Sequence, residues 1–196
     1  MKIIVFLITL FLSIGCTKGS NLNYVNTVAN PKNNYTRMLK AKYTDELNSI
    51  VESLKILNLK IIDDGVGFTG ASDCKECKNK PGDFWLFITY HGKNINKIIH
   101  KDTDKIIKNS LKNGTIDILY MLKHIKLNKL LNDRNFRGFL ISGIWGISEK
   151  LTEITKPKKY ITAEYYISKE LFLDYLNGKD YNQVIDSAFF RSYLLK

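Results

Sequence analysis

Apolar residues in this chain follow two patterns, one with helical spacing and one of short continuous runs. Leu47, Ile50, Val51 and Leu54 recur three and four positions apart behind Thr44, which predicts a helix with an N-cap. Short apolar runs predict strands over 59–62, 84–90, 136–141 and 159–167. Further helices are predicted over 94–112 (ending at Gly114), 115–131, 168–176 and 181–195.

Predicted helices follow predicted strands along most of this order. That alternation is typical of α/β proteins and predicts one mostly parallel sheet, with helices on both faces in a three-layer sandwich. The polar, Asn-rich stretch 17–36 is typical of a tether, and 64–83 is expected to be a long loop. A signal peptide over 1–15, a lipidated N-terminus and tether over 16–36 and one domain over 37–196 are therefore expected.

The first 16 residues carry the clearest functional pattern. Met1-Lys2 precedes an apolar run over 3–12, which is too short to span a bilayer and is typical of a secretory signal. The sequence Ser13-Ile14-Gly15-Cys16 resembles the lipobox of bacterial lipoproteins, which implies that Cys16 is lipidated after cleavage. An ordinary secretory signal with an incidental cysteine is the alternative. The expected location is the cell envelope, anchored to a membrane by lipid and facing the periplasm or the exterior.

The chain is strongly basic, with 30 Lys and Arg against 19 Asp and Glu and a formal charge of +11. Only four of the cations are Arg, the residue that best recognises phosphate by two parallel hydrogen bonds. Nucleic-acid binding is therefore disfavoured. An anionic surface, such as a glycan bound by an adhesin, and an envelope protein remain as candidate partners.

Two further motifs fall within 64–83. Cys74 and Cys77 form a CxxC pair, which in an oxidising compartment predicts a disulfide. The alternative is a zinc site completed by His91, which follows Cys77 after 13 intervening residues. Residues 65–70 fit GxGxxG, but no apolar helix follows, so a glycine-rich turn is predicted and no cofactor is expected.

His91 ends an apolar strand in the sequence Tyr90-His91-Gly92, and the strand at 136–141 breaks at Ser142-Gly143. This order resembles the caspase, clostripain and gingipain group of cysteine peptidases. The resemblance implies that one strand ends in His-Gly and that the next presents a nucleophilic cysteine. Here that position holds Ile144 or Gly143, so the resemblance implies a relative without peptidase activity.

The leading hypothesis is a lipid-anchored envelope protein that acts as a non-catalytic binding or structural module. The first alternative is an envelope hydrolase that uses His91 as base and Ser142 as nucleophile. The second is a zinc-binding protein that uses Cys74, Cys77 and His91.

Overall fold

A computed structural model describes residues 27–70, 77, 79–153 and 155–195. The described helices are α1 (Asn34–Lys42), α2 (Thr44–Leu54), α3 (Thr103–Lys123), α4 (Asn128–Leu131), α5 (Lys169–Leu176) and α6 (Tyr181–Ser187). The strands are β1 (Lys60–Thr69), β2 (Phe84–His91), β3 (Ile95–Asn96), β4 (Phe136–Ser148), β5 (Lys159–Ser168) and β6 (Phe189–Leu195). A short 3₁₀ turn, Leu151–Glu153, lies between β4 and β5.

All six strands belong to one sheet in the order β1-β2-β4-β5-β6, and β3 pairs with β4 beyond the end of β2. Strands β2 and β4 are parallel, as are β3 and β4. The pairs β1–β2, β4–β5 and β5–β6 are antiparallel. Helix α3 lies in the connection between the two long parallel strands.

The prediction of a mostly parallel sheet is wrong, because the sheet is mixed and mostly antiparallel. A parallel neighbour requires a long crossover, which is usually a helix. The connection from β4 to β5 contains only the short 3₁₀ turn, and the described part of the connection from β1 to β2 contains no α-helix. These strands therefore pair as antiparallel neighbours, and only β2 and β4 form a βαβ unit.

The helices cover one face of the sheet instead of two. Each helix contributes buried apolar residues to the main core, through Leu39, Leu47, Leu111, Leu130, Phe172 and Val184 among others. The sheet residues in this core include Leu86, Ile88 and Tyr90 of β2 and Ile141 of β4. We call this side of the sheet the helical face and the opposite side the open face.

Two predicted helix boundaries differ from the structure. A single helix, α3, runs through Gly114, where a helix end was predicted. A Cβ at this position would lie 2.4 Å from the hydroxyl of the buried Tyr90, so glycine leaves room for that ring. The helix predicted over 181–195 ends at Ser187, and the chain then forms the edge strand β6.

The folded structure begins before the predicted domain boundary at residue 37. Val28 forms a bridge with Val66 of β1, and α1 begins at Asn34 behind a capping box formed by Asn33 and Thr36. Within the described residues, no helix combines the length and the apolar character needed to cross a membrane.

Candidate functional site

The open face consists of side chains that β2, β4, β5 and β6 direct away from the helices. Strand register aligns these side chains in rows across the sheet. They include Phe87, Thr89, His91, Leu140, Ser142, Ile144, Thr162, Glu164, Tyr166, Phe189, Arg191 and Tyr193. None of these residues belongs to the main core, whereas Tyr166 forms a second cluster with Trp85, Leu140 and Phe189.

Glu164 is the chemical centre of the open face. It is only 5% exposed, and both carboxylate oxygens have hydrogen-bond donors. Oε2 accepts from Arg191 Nε at 2.5 Å and from the Tyr166 hydroxyl at 3.2 Å, while Oε1 accepts from the Tyr193 hydroxyl at 2.9 Å. A carboxylate this buried is stable because it is paired and fully hydrogen-bonded.

The guanidinium of Arg191 lies near the rings of two tyrosines. Its central carbon is 5.1 Å from the Tyr166 ring centre and 5.4 Å from that of Tyr193, which are distances typical of cation–π contacts. Burial and the nearby charge of Glu164 raise the pKa of Tyr166, so its hydroxyl stays protonated and can donate. We call Glu164, Tyr166, Arg191 and Tyr193 the tyrosine–arginine cluster; its ion pair carries no net charge.

A polar row crosses the middle of the open face. Ser142 pairs in register with Thr89 on β2 and with Glu164 on β5, and Glu164 pairs with Arg191 on β6. Ser142 is only 4% exposed. The buried hydroxyl of Thr162 has no hydrogen-bond partner within the described part of the chain. The face therefore combines apolar and aromatic rows with one central polar row.

His91 lies at the exposed end of β2, opposite Ile144 of β4 and Lys60 of β1. Partial burial and the charge of Lys60 lower the pKa of His91, while Asp63 opposes this shift. Because the pKa of His91 falls below its usual value near 6.5, the side chain is neutral at pH 7.

The predicted catalytic residues His91 and Ser142 lie on the same face of neighbouring strands. Ser142, however, pairs with Thr89, two residues before His91, and no hydrogen bond between the described atoms joins His91 to Ser142. A serine nucleophile needs a base within hydrogen-bond reach and access to its substrate. The structure supplies neither, because Ser142 is buried among its neighbours.

Both glycines of the His-Gly and Ser-Gly motifs have a packing role. A Cβ on Gly92 would lie 2.0 Å from Trp145 Nε1, and a Cβ on Gly143 would lie 2.2 Å from the same indole. Trp145 is 1% exposed and belongs to the main core. The predicted strand break at Ser142-Gly143 is therefore wrong, since β4 continues through both residues to Ser148.

The glycine-rich segment 65–70 is also part of a strand, because β1 runs to Thr69. A Cβ on Gly67 would lie 2.8 Å from the Ala29 Cβ and 3.0 Å from the Phe87 ring, so glycine permits this close approach. Beside it lies a groove of about 910 Å³, walled by segments 28–36 and 79–83. Phe87 and Thr89 line this groove, which therefore continues from the open face.

The cysteine predictions fall largely outside the described residues. Cys16 and Cys74 both lie there, so the lipidation of Cys16 and the pairing of Cys74 with Cys77 stay predictions. Cys77 packs against the cluster of Trp85 and Tyr166.

The structure does not support the zinc alternative. Trp85 and His91 are six residues apart on β2, or roughly 20 Å along the strand, so Cys77 and His91 lie far apart. Within the described residues, no group of three or more His, Cys, Asp or Glu could hold a metal ion.

The tyrosine–arginine cluster was not identified from the sequence. Arg191 and Tyr193 fell in a predicted helix, so their pairing with Glu164 could not be foreseen. The available signal was a carboxylate at residue 164 inside the apolar run 159–167. The chain matches no known family model, no curated protein and no solved structure. The resemblance to the caspase group therefore stays a hypothesis.

Proposed function

We propose that the chain is a lipid-anchored protein of the bacterial cell envelope that binds a partner protein through its open face. The anchor follows from the lipobox-like sequence that ends at Cys16. The binding role rests on one observation: the described helices cover one face of the sheet, and the other face presents partly exposed aromatic and aliphatic side chains.

The composition of the open face supports a protein partner. The cores of protein interfaces are enriched in Tyr, Phe and Arg and depleted in Lys and Asp. The chain as a whole is rich in Lys, yet the open-face residues of β2, β4, β5 and β6 named above include no Lys, and their one Arg is paired with Glu164. Lys60 of β1 lies beside His91 at the edge of this face. This pairing avoids the burial of a lone charge when a partner covers the face.

A nucleic acid or anionic glycan fits the open face less well. Such ligands require unpaired cations directed at phosphate, sulfate or carboxylate groups. Arg191 is already occupied by Glu164 and His91 is neutral at pH 7, although Lys60 of β1 lies beside His91. Among the described residues, no positioned nucleophile lies beside His91, which also favours a binding role over hydrolysis.

Photo-crosslinking in the native bacterium tests this proposal. The full chain would carry a photoreactive amino acid either at His91, on the open face, or at Tyr120, which is 62% exposed on α3. We expect a discrete adduct with another protein from position 91 and none from position 120. Equal labelling at the two positions, or none at either, would contradict the proposal.

A pair of charge substitutions tests whether the adduct depends on the open face. Ile144→Lys places an unpaired charge on the open face beside His91, and interface cores exclude such charges. It should lower the crosslinking yield at position 91 by roughly tenfold or more. Ile56→Lys, at a residue that is 87% exposed, is the matched control and should leave the yield unchanged.

A further inference from the structure

The two edges of the sheet are protected to very different degrees. At β1, Val66 N donates to Thr27 O at 2.9 Å and Ala29 N donates to Val66 O at 2.8 Å, so the preceding segment covers this edge. The register of β1 also shifts between Ile61 and Val66, and Asp64 in this stretch has a φ of 55°. Covering segments and bulges are common devices that prevent edge-to-edge association.

Within the part of the chain that the structure describes, strand β6 at the opposite edge has neither a covering segment nor a bulge. Among the described residues, β5 is its only strand neighbour, and the register from Tyr166–Phe189 to Tyr160–Leu195 has no shift. The strand contains no Pro and no Lys, and its one charge is neutralised by Glu164. Tyr193, Leu194 and Leu195 are 41%, 54% and 41% exposed. A long, regular, apolar edge of this kind is a site for pairing with another strand.

We propose that β6 pairs antiparallel with β6 of a second copy, about a two-fold axis that passes through Ser192. All seven residues of the strand are then paired. Phe189 lies opposite Leu195, Phe190 opposite Leu194 and Arg191 opposite Tyr193. The sequence is thus complementary to itself, as a two-fold symmetric interface requires.

Other symmetric registers are less favourable. An axis through Arg191 would place two guanidinium groups directly opposite each other, which is destabilising. An axis through Tyr193 would place no residue of β6 opposite Phe189 or Phe190. The register centred on Ser192 avoids both problems. It places aromatic residues opposite aliphatic residues and a cation opposite an aromatic ring.

The same register places apolar residues suitably on the helical face. A depression of about 280 Å³ lies beside β6 and is lined by the apolar residues Ile107, Ile161 and Phe190 together with the polar residues Asp104, Lys105, Lys108 and Ser192. Leu194 of the second copy would lie opposite Phe190, next to this depression, and would lose its present exposure. The two sheets would join into one, and their open faces would become a continuous surface.

Disulfide trapping tests the register directly. Residues directly opposite in antiparallel strands have Cα atoms about 4.5–5.5 Å apart, which suits a disulfide. Ser192→Cys in the full chain should therefore form a reducible dimer of twice the mass of the processed monomer when membranes are oxidised. Ser49→Cys, on the exposed side of α2, is the matched control and should remain monomeric.

A second variant tests the association without a crosslink. Ser192→Lys brings two like charges together at the two-fold axis and should weaken self-association in sedimentation experiments by tenfold or more, whereas Ser49→Lys should not. A wild-type chain that sediments as a monomer, or trapping no greater at 192 than at 49, would overturn the proposal. The proposal would also be overturned if the β6 amides were protected from hydrogen exchange only when another protein is added. That result would favour pairing of β6 with a strand of a different partner.

Discussion

The ion pair between Glu164 and Arg191 allows a quantitative prediction about the open face. Replacing either residue with Leu removes the ion pair of its partner, which stays charged in a largely buried position, since the side chains are 7% and 29% exposed. Breaking a buried pair costs roughly 3–5 kcal/mol. Because Arg191 can regain part of its hydration, we expect Glu164→Leu to lower the free energy of unfolding by about 3 kcal/mol and Arg191→Leu to lower it slightly more.

The double variant, with Leu at both positions, separates the interaction energy of the ion pair from the individual effects of the two side chains. Replacing both partners with apolar residues is often nearly neutral, so we expect the double variant to lose only about 0–1 kcal/mol. Urea unfolding followed by the fluorescence of Trp85 and Trp145 measures each free energy; urea is preferable to guanidinium chloride, which screens charges. The reasoning would be refuted if the double variant lost as much free energy of unfolding as the two single variants added together.

Three further predictions concern the fold and the anchor. Gly92→Ala should lower the free energy of unfolding, measured in urea, by about 2–3 kcal/mol because the added methyl group clashes with Trp145. Gly70→Ala, whose added methyl group would have no contact closer than 3.9 Å, should change this free energy little. Burial raises the pKa of Asp133, but its hydrogen bonds outweigh this effect and lower the pKa to about 2, below the value in the unfolded chain. The ionised Asp133 carboxylate therefore stabilises the folded protein above about pH 4, and this stabilisation is lost as the pH falls towards 2. Asp133→Asn should therefore lower the free energy of unfolding by about 1–2 kcal/mol at pH 7. The difference in free energy of unfolding between this variant and the wild type should become smaller in acid. Cys16→Ala should abolish incorporation of labelled fatty acid and membrane partition.

Local sequence patterns predicted the long central elements well. The apolar runs at 84–90 and 159–167 correspond to β2 and β5, and the spacing after Thr44 corresponds to α2. These elements bury most of their own apolar residues, so their local pattern and their tertiary environment agree.

The errors arise where long-range packing outweighs local signals. Gly65, Gly67, Gly114 and Gly143 predicted turns or ends, but each permits close packing inside a strand or helix. No local pattern specifies that Trp145 or Tyr90 will occupy the space beside a particular glycine.

The strand β6 was missed for a related reason. Residues 181–195 follow a helix-ending Gly178 and contain enough apolar residues for a helix, yet 189–195 pair with β5. Edge strands depend on the neighbouring strand more than on their own propensity. Because β6 supplies Arg191 and Tyr193, the candidate site could not be predicted until this pairing was known.

Hydroxyl-radical footprinting tests the central claim, that the open face is a binding surface, most directly. Side-chain oxidation of Phe87 and His91 would be measured in the purified full chain and in native membranes, with the exposed Tyr120 as the internal reference. We predict that Phe87 and His91 are protected in native membranes while Tyr120 is oxidised equally in both. Equal oxidation of Phe87 and His91 in the two preparations would contradict the account.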